Sequence, residues 1–174
     1  MKKIKSIFAI SMMLIAISLT SCSSDDDSSG GGSEAGEGEV IARVNGSSFQ
    51  SISQGTVGRI TANGGTEFLQ ITAINLNGEA MTIQVTRPVI EETSYDFDDA
   101  NSITAVATYT IVDTSTFEST SYAAPYMNSG DVGTITITER TATNIKGTFE
   151  FTARNQDDDT DTLNVTDGSF NLAL

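Results

Sequence analysis

Carboxylates are the side chains of this sequence that could carry out acid–base chemistry. The chain has no histidine and one cysteine, which excludes Ser-His-Asp and Cys-His nucleophiles and zinc sites built on those residues. A glycan hydrolase needs two carboxyl groups about 5–9.5 Å apart across a cleft. One group of acids offers candidates for such a pair: Glu91, Glu92, Asp96, Asp98 and Asp99. Because nothing in the sequence indicates that spacing, we expect no catalytic residue and no cofactor.

The acidic run at residues 157–161 offers ligands for a hard cation. Asp157, Asp159 and Asp161 supply carboxylate oxygens, which are the ligand atoms that calcium prefers. The run lacks the glycine and the distal glutamate of an EF-hand loop. We therefore favour a solvated hairpin tip and predict no metal site.

Two tyrosines are the candidates for contact with a ligand. Tyr122 and Tyr126 flank Pro125 in residues 114–130, which we predict to be a long connection. Binding residues concentrate in long connections. The chain has no tryptophan to stack on a sugar ring, so these tyrosines would make that contact with a glycan, or would contact a protein ligand.

The only cysteine, Cys22, follows an apolar stretch at residues 7–19 that begins after three lysines. This is the anatomy of an export signal, whereas a membrane-spanning helix needs about 20 apolar residues. Residues 19–22, Leu-Thr-Ser-Cys, resemble the lipobox of bacterial lipoproteins. The resemblance implies cleavage between Ser21 and Cys22 and three acyl chains on the mature protein, rather than a free thiol or a disulfide. Three chains hold a protein firmly on a membrane.

Residues 22–38 follow the signal peptide of residues 1–21 as a predicted tether. They are rich in glycine, serine and acids, so we expect disorder and a root-mean-square reach of about 20 Å. Asp25, Asp26 and Asp27 resemble the signal that sends Bacteroidetes lipoproteins to the outer leaflet of the outer membrane. A solvated spacer is the alternative. We expect a lipid-anchored outer-membrane protein that faces the cell exterior.

The mature chain would be strongly acidic. Removing the three leader lysines from the 9 basic residues leaves 6 against 23 acidic ones, a formal charge of −17. Nucleic-acid binding depends on neutralising phosphates with Lys and Arg, so no nucleic-acid partner is expected. An anionic bilayer surface would also repel the chain, so the lipid anchor would have to hold the protein on its partner membrane.

Residues 39–174 are predicted to form one β domain. Apolar residues recur with period two, as in Met81, Ile83 and Val85. We predict strands at 39–45, 56–62, 66–76, 80–86, 102–112, 132–139, 145–154 and 162–172, with a short one near 94–97. The turn signals between runs are Asn45-Gly46, Asn63-Gly64-Gly65, Asn77-Gly78 and Asp167-Gly168. About eight or nine strands joined by hairpins predict an all-β fold, either an antiparallel β-sandwich or a closed β-barrel.

Two regions have a defined core face. In the strand at 102–112 that face is Ile103, Ala105, Ala107, Tyr109 and Ile111. In residues 132–154 it is Ile135, Ile137, Ile145, Phe149, Phe151 and Ala153. The opposite face of the second strand of this hairpin carries Lys146, Glu150 and Arg154, which a register slip of one residue would bury.

The strings ARVNGSSF, GTITITERTATNIKGTFEFTARN and VTDGSF together resemble a family of small Bacteroidetes lipoproteins of unknown function. The resemblance covers nearly all of residues 39–174, and it implies an N-terminal hairpin, a central hairpin and a terminal strand. These motifs are turn glycines and core aromatics, so they imply a fold and no catalytic residue. We expect a non-catalytic, surface-tethered module that binds an unknown protein or glycan or belongs to the envelope. The alternatives are a carboxylate-based glycan hydrolase and a barrel that carries a small apolar ligand.

Overall fold

The computed structural model describes residues 34–174, which form β-strands joined by turns. This part of the chain has two short 3₁₀ helices, Ser53–Gly55 and Asp99–Asn101, and no α-helix. No helix within it is long and apolar enough to cross a membrane. The strands are β1 Glu39–Val44, β2 Ser47–Gln50, β3 Val57–Asn63, β4 Thr66–Ile74, β5 Glu79–Arg87, β6 Ser94–Asp98, β7 Ala105–Val112, β8 Ser119–Ala124, β9 Asp131–Arg140, β10 Asn144–Asn155 and β11 Thr162–Ala173. The all-β prediction is confirmed.

These strands form one curled antiparallel sheet. Its order is β2-β1-β11-β10-β8-β7-β5-β4-β3, and β6 joins it through β9. β10 is the branch point, because it pairs with β11 and β9 while Arg154 and Asn155 at its end pair with β8. β3 comes back towards β11, where a Cβ on Gly58 would lie 2.8 Å from the Cβ of Leu172. The apolar faces of the strands meet in a single core.

Two strands are absent from the sequence prediction, which explains its lower strand count. β2 pairs with β1 through the Asn45-Gly46 turn. β8 lies inside residues 114–130, so the prediction of one long connection there is wrong. Its sequence, STSYAA, has Tyr122 as its one large side chain and therefore lacks apolar alternation. Pairing with β7 and with the end of β10 holds it in the sheet.

Three of the four predicted turn signals form hairpin turns with positive φ. Gly46, Gly65 and Gly78 have φ of 81°, 82° and 80°. The fourth signal, Asp167-Gly168, lies inside β11, which confirms the predicted strand at 162–172, and no hairpin turn forms there. Asp167 has a φ of 51°, and the pairing of β11 with both β1 and β10 shifts at this point. The pair forms a β-bulge in which Asp167 has a positive φ, as a turn residue often has, while the strand stays continuous.

The predicted core face of the strand at 102–112 begins two residues too early. Ile103 is 85% exposed, whereas Ala105, Ala107 and Tyr109 are buried. The backbone N–H of Thr104 donates to the carbonyl of Asn101, so residues 101–104 form a turn before β7. The alternation of Ile103 with the strand is therefore coincidental.

The predicted core face of residues 132–154 is confirmed. The six apolar side chains assigned to it are all buried, while Thr148 and Glu150 are exposed. Within this face, Gly147 pairs with Phe170 and Phe149 pairs with Gly168 across β10 and β11. A Cβ on Gly168 would lie 2.5 Å from the Phe149 ring. The rings of Phe149 and Phe170 stack with centroids 6.4 Å apart, so two glycines make room for two aromatic rings.

Replacing Phe149 by alanine tests this packing. We expect a loss of about 3–5 kcal/mol from lost burial and the resulting cavity, out of a total stability of about 5–15 kcal/mol for such a domain. The urea midpoint should fall sharply. Thr148→Ala is the matched control, because the neighbouring side chain points to solvent, and its midpoint should change little. Equal effects at the two positions would contradict the assigned faces.

Candidate functional site

Several residues with predicted roles lie outside the described part of the chain. Ser21 and Cys22, at the proposed cleavage and lipidation site, precede residue 34, as do Asp25, Asp26 and Asp27. The described chain begins against the outer surface of the sheet. There the backbone N–H of Ala35 donates to Oγ of Ser169 over 3.0 Å.

Tyr122 holds two parts of the sheet together. It lies in β8, 9% exposed, and its hydroxyl donates to Oδ2 of Asp161 over 2.8 Å. Nδ2 of Asn155, its partner on β10, donates to the same oxygen over 2.9 Å. The hydrogen bond to Asp161, and next burial, raise the pKa of Tyr122. These contacts join β8 to the turn between β10 and β11 and leave the Tyr122 hydroxyl engaged within the protein.

The acidic run between β10 and β11 directs its carboxylates to different partners. Asp161 accepts from Tyr122 and Asn155, and Oδ1 of Asp159 lies 3.3 Å from the Arg154 guanidinium. Asp158 accepts from the hydroxyl and the backbone N–H of Thr160, and these bonds lower its pKa. In residues 34–174 no group of three or more His, Cys, Asp or Glu side chains is arranged to hold a metal ion.

Tyr126 lies on the outer surface at the point where β8 ends and β9 has not yet begun. The Arg154 guanidinium lies over its ring, 4.6 Å from the centroid, and Asp159 holds the same guanidinium. The structure thus links Tyr126 to the acidic run, while Tyr122 faces the other end of that run. A cleft of about 470 Å³ opens here, lined by Tyr126, Asp131, Glu150, Thr152, Asn164 and Thr166 among others. Its acceptors and hydroxyls suit a polar ligand.

Four of the five candidate catalytic carboxylates accept hydrogen bonds that organise loops and strand pairs. Asp99 accepts from the backbone N–H groups of Asn128 and Gly130, over 2.9 and 3.0 Å. Asp98 accepts from the N–H of Ala100, Asp96 from the Thr134 hydroxyl, and Glu92 from the N–H of Arg140. Asp99 thereby joins the loop between β6 and β7 to the loop between β8 and β9. Through these bonds the four carboxylates stabilise the loops and strand pairs around them.

An unpredicted ion pair between Arg140 and Glu67 fixes the loop after β5. The Arg140 guanidinium at the end of β9 makes two hydrogen bonds to Glu67 of β4, of 2.7 and 2.9 Å. Glu67 also accepts from the N–H of Ile90, and Arg140 donates to the Ile90 carbonyl. The Arg140 hydrogen bonds, and next the Ile90 N–H, lower the pKa of Glu67. The two residues are 73 positions apart, so no local pattern could reveal the pair.

The motif strings lie on β1, on β2 and on β9 to β11, and all of them fall within the part of the chain that a family model matches. The model of a domain of unknown function, DUF6252, matches residues 37–172. The chain belongs to the DUF6252 family. No curated protein and no solved structure matches it. The matched residues span the curled sheet from β1 to nearly the end of β11.

The Glu67–Arg140 pair predicts a pH dependence of stability. Because the pKa of Glu67 is lower in the folded than in the unfolded chain, the unfolded chain binds protons first as the pH falls. The pair therefore stabilises fully above the ordinary glutamate pKa of about 4.3. This stabilisation is lost as the pH falls through the lower pKa of the folded state. Glu67→Gln should lower the urea midpoint at pH 7, and its difference from wild type should shrink in acid.

Glu37→Gln serves as the control for this titration. Glu37 is exposed and forms no ion pair within residues 34–174. The control should follow the wild-type urea midpoint at every pH. A difference between Glu67→Gln and wild type that stays constant from pH 7 to pH 3 would contradict the proposed linkage.

Proposed function

We propose that this DUF6252 protein is an outer-membrane lipoprotein whose β domain faces the cell exterior and binds a partner without catalysing a reaction. The observation that carries the proposal is the position of the only cysteine. Cys22 stands directly after Leu19-Thr20-Ser21 and an apolar export signal, where a thiol would be alkylated with lipid and become the mature N-terminus.

The composition of the segment between Cys22 and the domain supports a domain that stands away from the membrane at the cell exterior. Residues 23–33 are serine, glycine and aspartate, which form flexible, solvated chain in general. Asp25, Asp26 and Asp27 lie close to the anchor, as in the surface-export signal that they resemble. The strongly negative charge of the chain favours a domain that stands off from an anionic bilayer.

The arrangement of the domain supports binding rather than catalysis. Its carboxylates at Asp96, Asp98 and Asp99 accept hydrogen bonds that hold loops and strands. Its interior is occupied by packed apolar side chains, which disfavours a carrier of a small apolar ligand. Open clefts lined by both polar and apolar groups lie instead on the outer surface of the sheet. A pre-formed surface of this kind binds with little ordering cost.

The anchor is tested by replacing Cys22 with alanine. We expect the variant to lose labelled palmitate and to leave the membrane fraction, because no second lipidation residue is available in a chain with one cysteine. A Ser24→Ala variant, two residues away, should keep both the label and the membrane fraction. Palmitate on the Cys22→Ala protein would overturn the assignment.

The direction in which the domain faces is tested separately. Replacing Asp25, Asp26 and Asp27 together by alanine should leave palmitate labelling intact and reduce exposure at the cell surface. Protease applied to whole cells would then remove less of the domain than in wild type. Replacing Ser28 and Ser29 by alanine provides a control with the same tether length. Equal removal from the aspartate variant and wild type would make the acidic cluster a spacer only.

A further inference from the structure

The outer face of β3, β4 and β5 carries mostly polar side chains and one aromatic ring. Alternation places Leu69, Ile71 and Ile83 in the core and turns their neighbours outwards. One cross-strand row is Arg59, Gln70 and Gln84, and the row beside it is Thr61, Phe68 and Thr86. Phe68 is 41% exposed, although it lies between two paired strands. Strand pairing therefore fixes the backbone positions from which this ring and the polar groups around it project.

These side chains line a cleft of about 250 Å³. The lining includes all six members of the two rows and, among the described residues, no carboxylate. That composition is unusual for this chain, in which residues 34–174 contain 20 acidic and 6 basic side chains. Glutamine amides and threonine hydroxyls both donate and accept hydrogen bonds, so the cleft can pair with a ligand rich in hydroxyl groups.

Arg59 is the cation of this cleft, and it is available to a ligand. In the described part of the chain, four other cations form ion pairs, Arg43 with Asp167, Arg140 with Glu67, Lys146 with Glu139 and Arg154 with Asp159. The Arg87 guanidinium lies over the Tyr95 ring. Arg59 has no ion pair, aromatic contact or side-chain hydrogen bond within residues 34–174. A free guanidinium is suited to a carboxylate, which it can bind through two parallel hydrogen bonds. The side-chain amides of Gln70 and Gln84 lie in the same cross-strand row as Arg59.

We infer that this face, Arg59-Thr61-Phe68-Gln70-Gln84-Thr86, binds an acidic oligosaccharide built from uronic acids. Phe68 contacts the C–H face of a sugar ring, Gln70 and Gln84 hydrogen-bond its hydroxyls, and Arg59 binds the carboxylate. An acidic peptide would satisfy Arg59, but it has no ring of hydroxyls for two amides and two threonines. This inference deepens the binding role proposed above by naming the ligand class and its site.

The test is calorimetric titration of the full chain, purified in detergent, with a panel of oligohexuronates of differing sugar and linkage. The same oligosaccharides with their carboxyls reduced to alcohols, and an oligoglutamate peptide of equal charge, are the comparison ligands. We expect at least one oligohexuronate to bind more tightly than its reduced form and than the peptide. Arg59→Gln should weaken that binding about tenfold, with little effect on the reduced form. Phe68→Ala should weaken the binding of both forms.

Arg43→Gln is the matched control, because it removes the same charge from an exposed arginine on β1. It should bind like wild type, and both arginine variants should keep the wild-type urea midpoint. The inference is overturned if no oligohexuronate binds, if Arg59→Gln binds like Arg43→Gln, or if oligoglutamate binds more tightly than every oligohexuronate. Binding in detergent does not require lipid on Cys22, so this result and the palmitate result can fail independently.

Discussion

The packing of phenylalanine against glycine across β10 and β11 is the constraint on which the sheet depends. Alternation alone fixes only which residues face the core, and a slip of two residues would preserve that choice. Such a slip would set Phe149 directly opposite Phe170, where the observed pairing puts Gly168 and Gly147. The space beside each glycine is already filled, because a Cβ on Gly147 would lie 2.6 Å from the Phe170 ring. The glycines thus select one register from those that alternation permits.

On its other edge β10 pairs with two strands in turn, and another glycine marks the point where the partner changes. Opposite Phe151 the partner is Gly133 of β9, where a Cβ would lie 2.1 Å from the Glu150 carbonyl oxygen. Its φ of 145° favours glycine, and β9 can approach β10 closely there. Beyond this point β8 takes over the pairing at Arg154 and Asn155. The chain between β8 and β9 must leave the sheet, and it carries Tyr126 to the outer surface.

What the sequence could predict follows from how far each interaction extends along the chain. Period-two alternation predicted the buried face of β10, and Asn45-Gly46 predicted the turn after β1, because both signals are local. β8 was not predicted as a strand, because its small residues lack an alternating pattern and form a strand through pairing with β7 and β10. Asp167-Gly168 is typical of a turn, but it forms a bulge within the predicted last strand, with a positive φ at Asp167. The bonds of Glu67 to Arg140 and of Tyr122 to Asp161 join distant segments, so the sequence could not reveal them.

The distribution of charge distinguishes the cleft at Arg59 from the rest of the outer surface. An acidic ligand approaching this domain meets carboxylates over most of the surface, and cations that are mostly paired within the protein. Salt screens these charges beyond about 8 Å, so the nearest groups decide where the ligand settles. Near Arg59 those groups are amides, hydroxyls and the exposed Phe68 ring, without a carboxylate in the cleft lining. Specificity is a difference between the affinities of competing positions. Repulsion by carboxylates at other positions would therefore favour the Arg59 cleft, as attraction to Arg59 itself would.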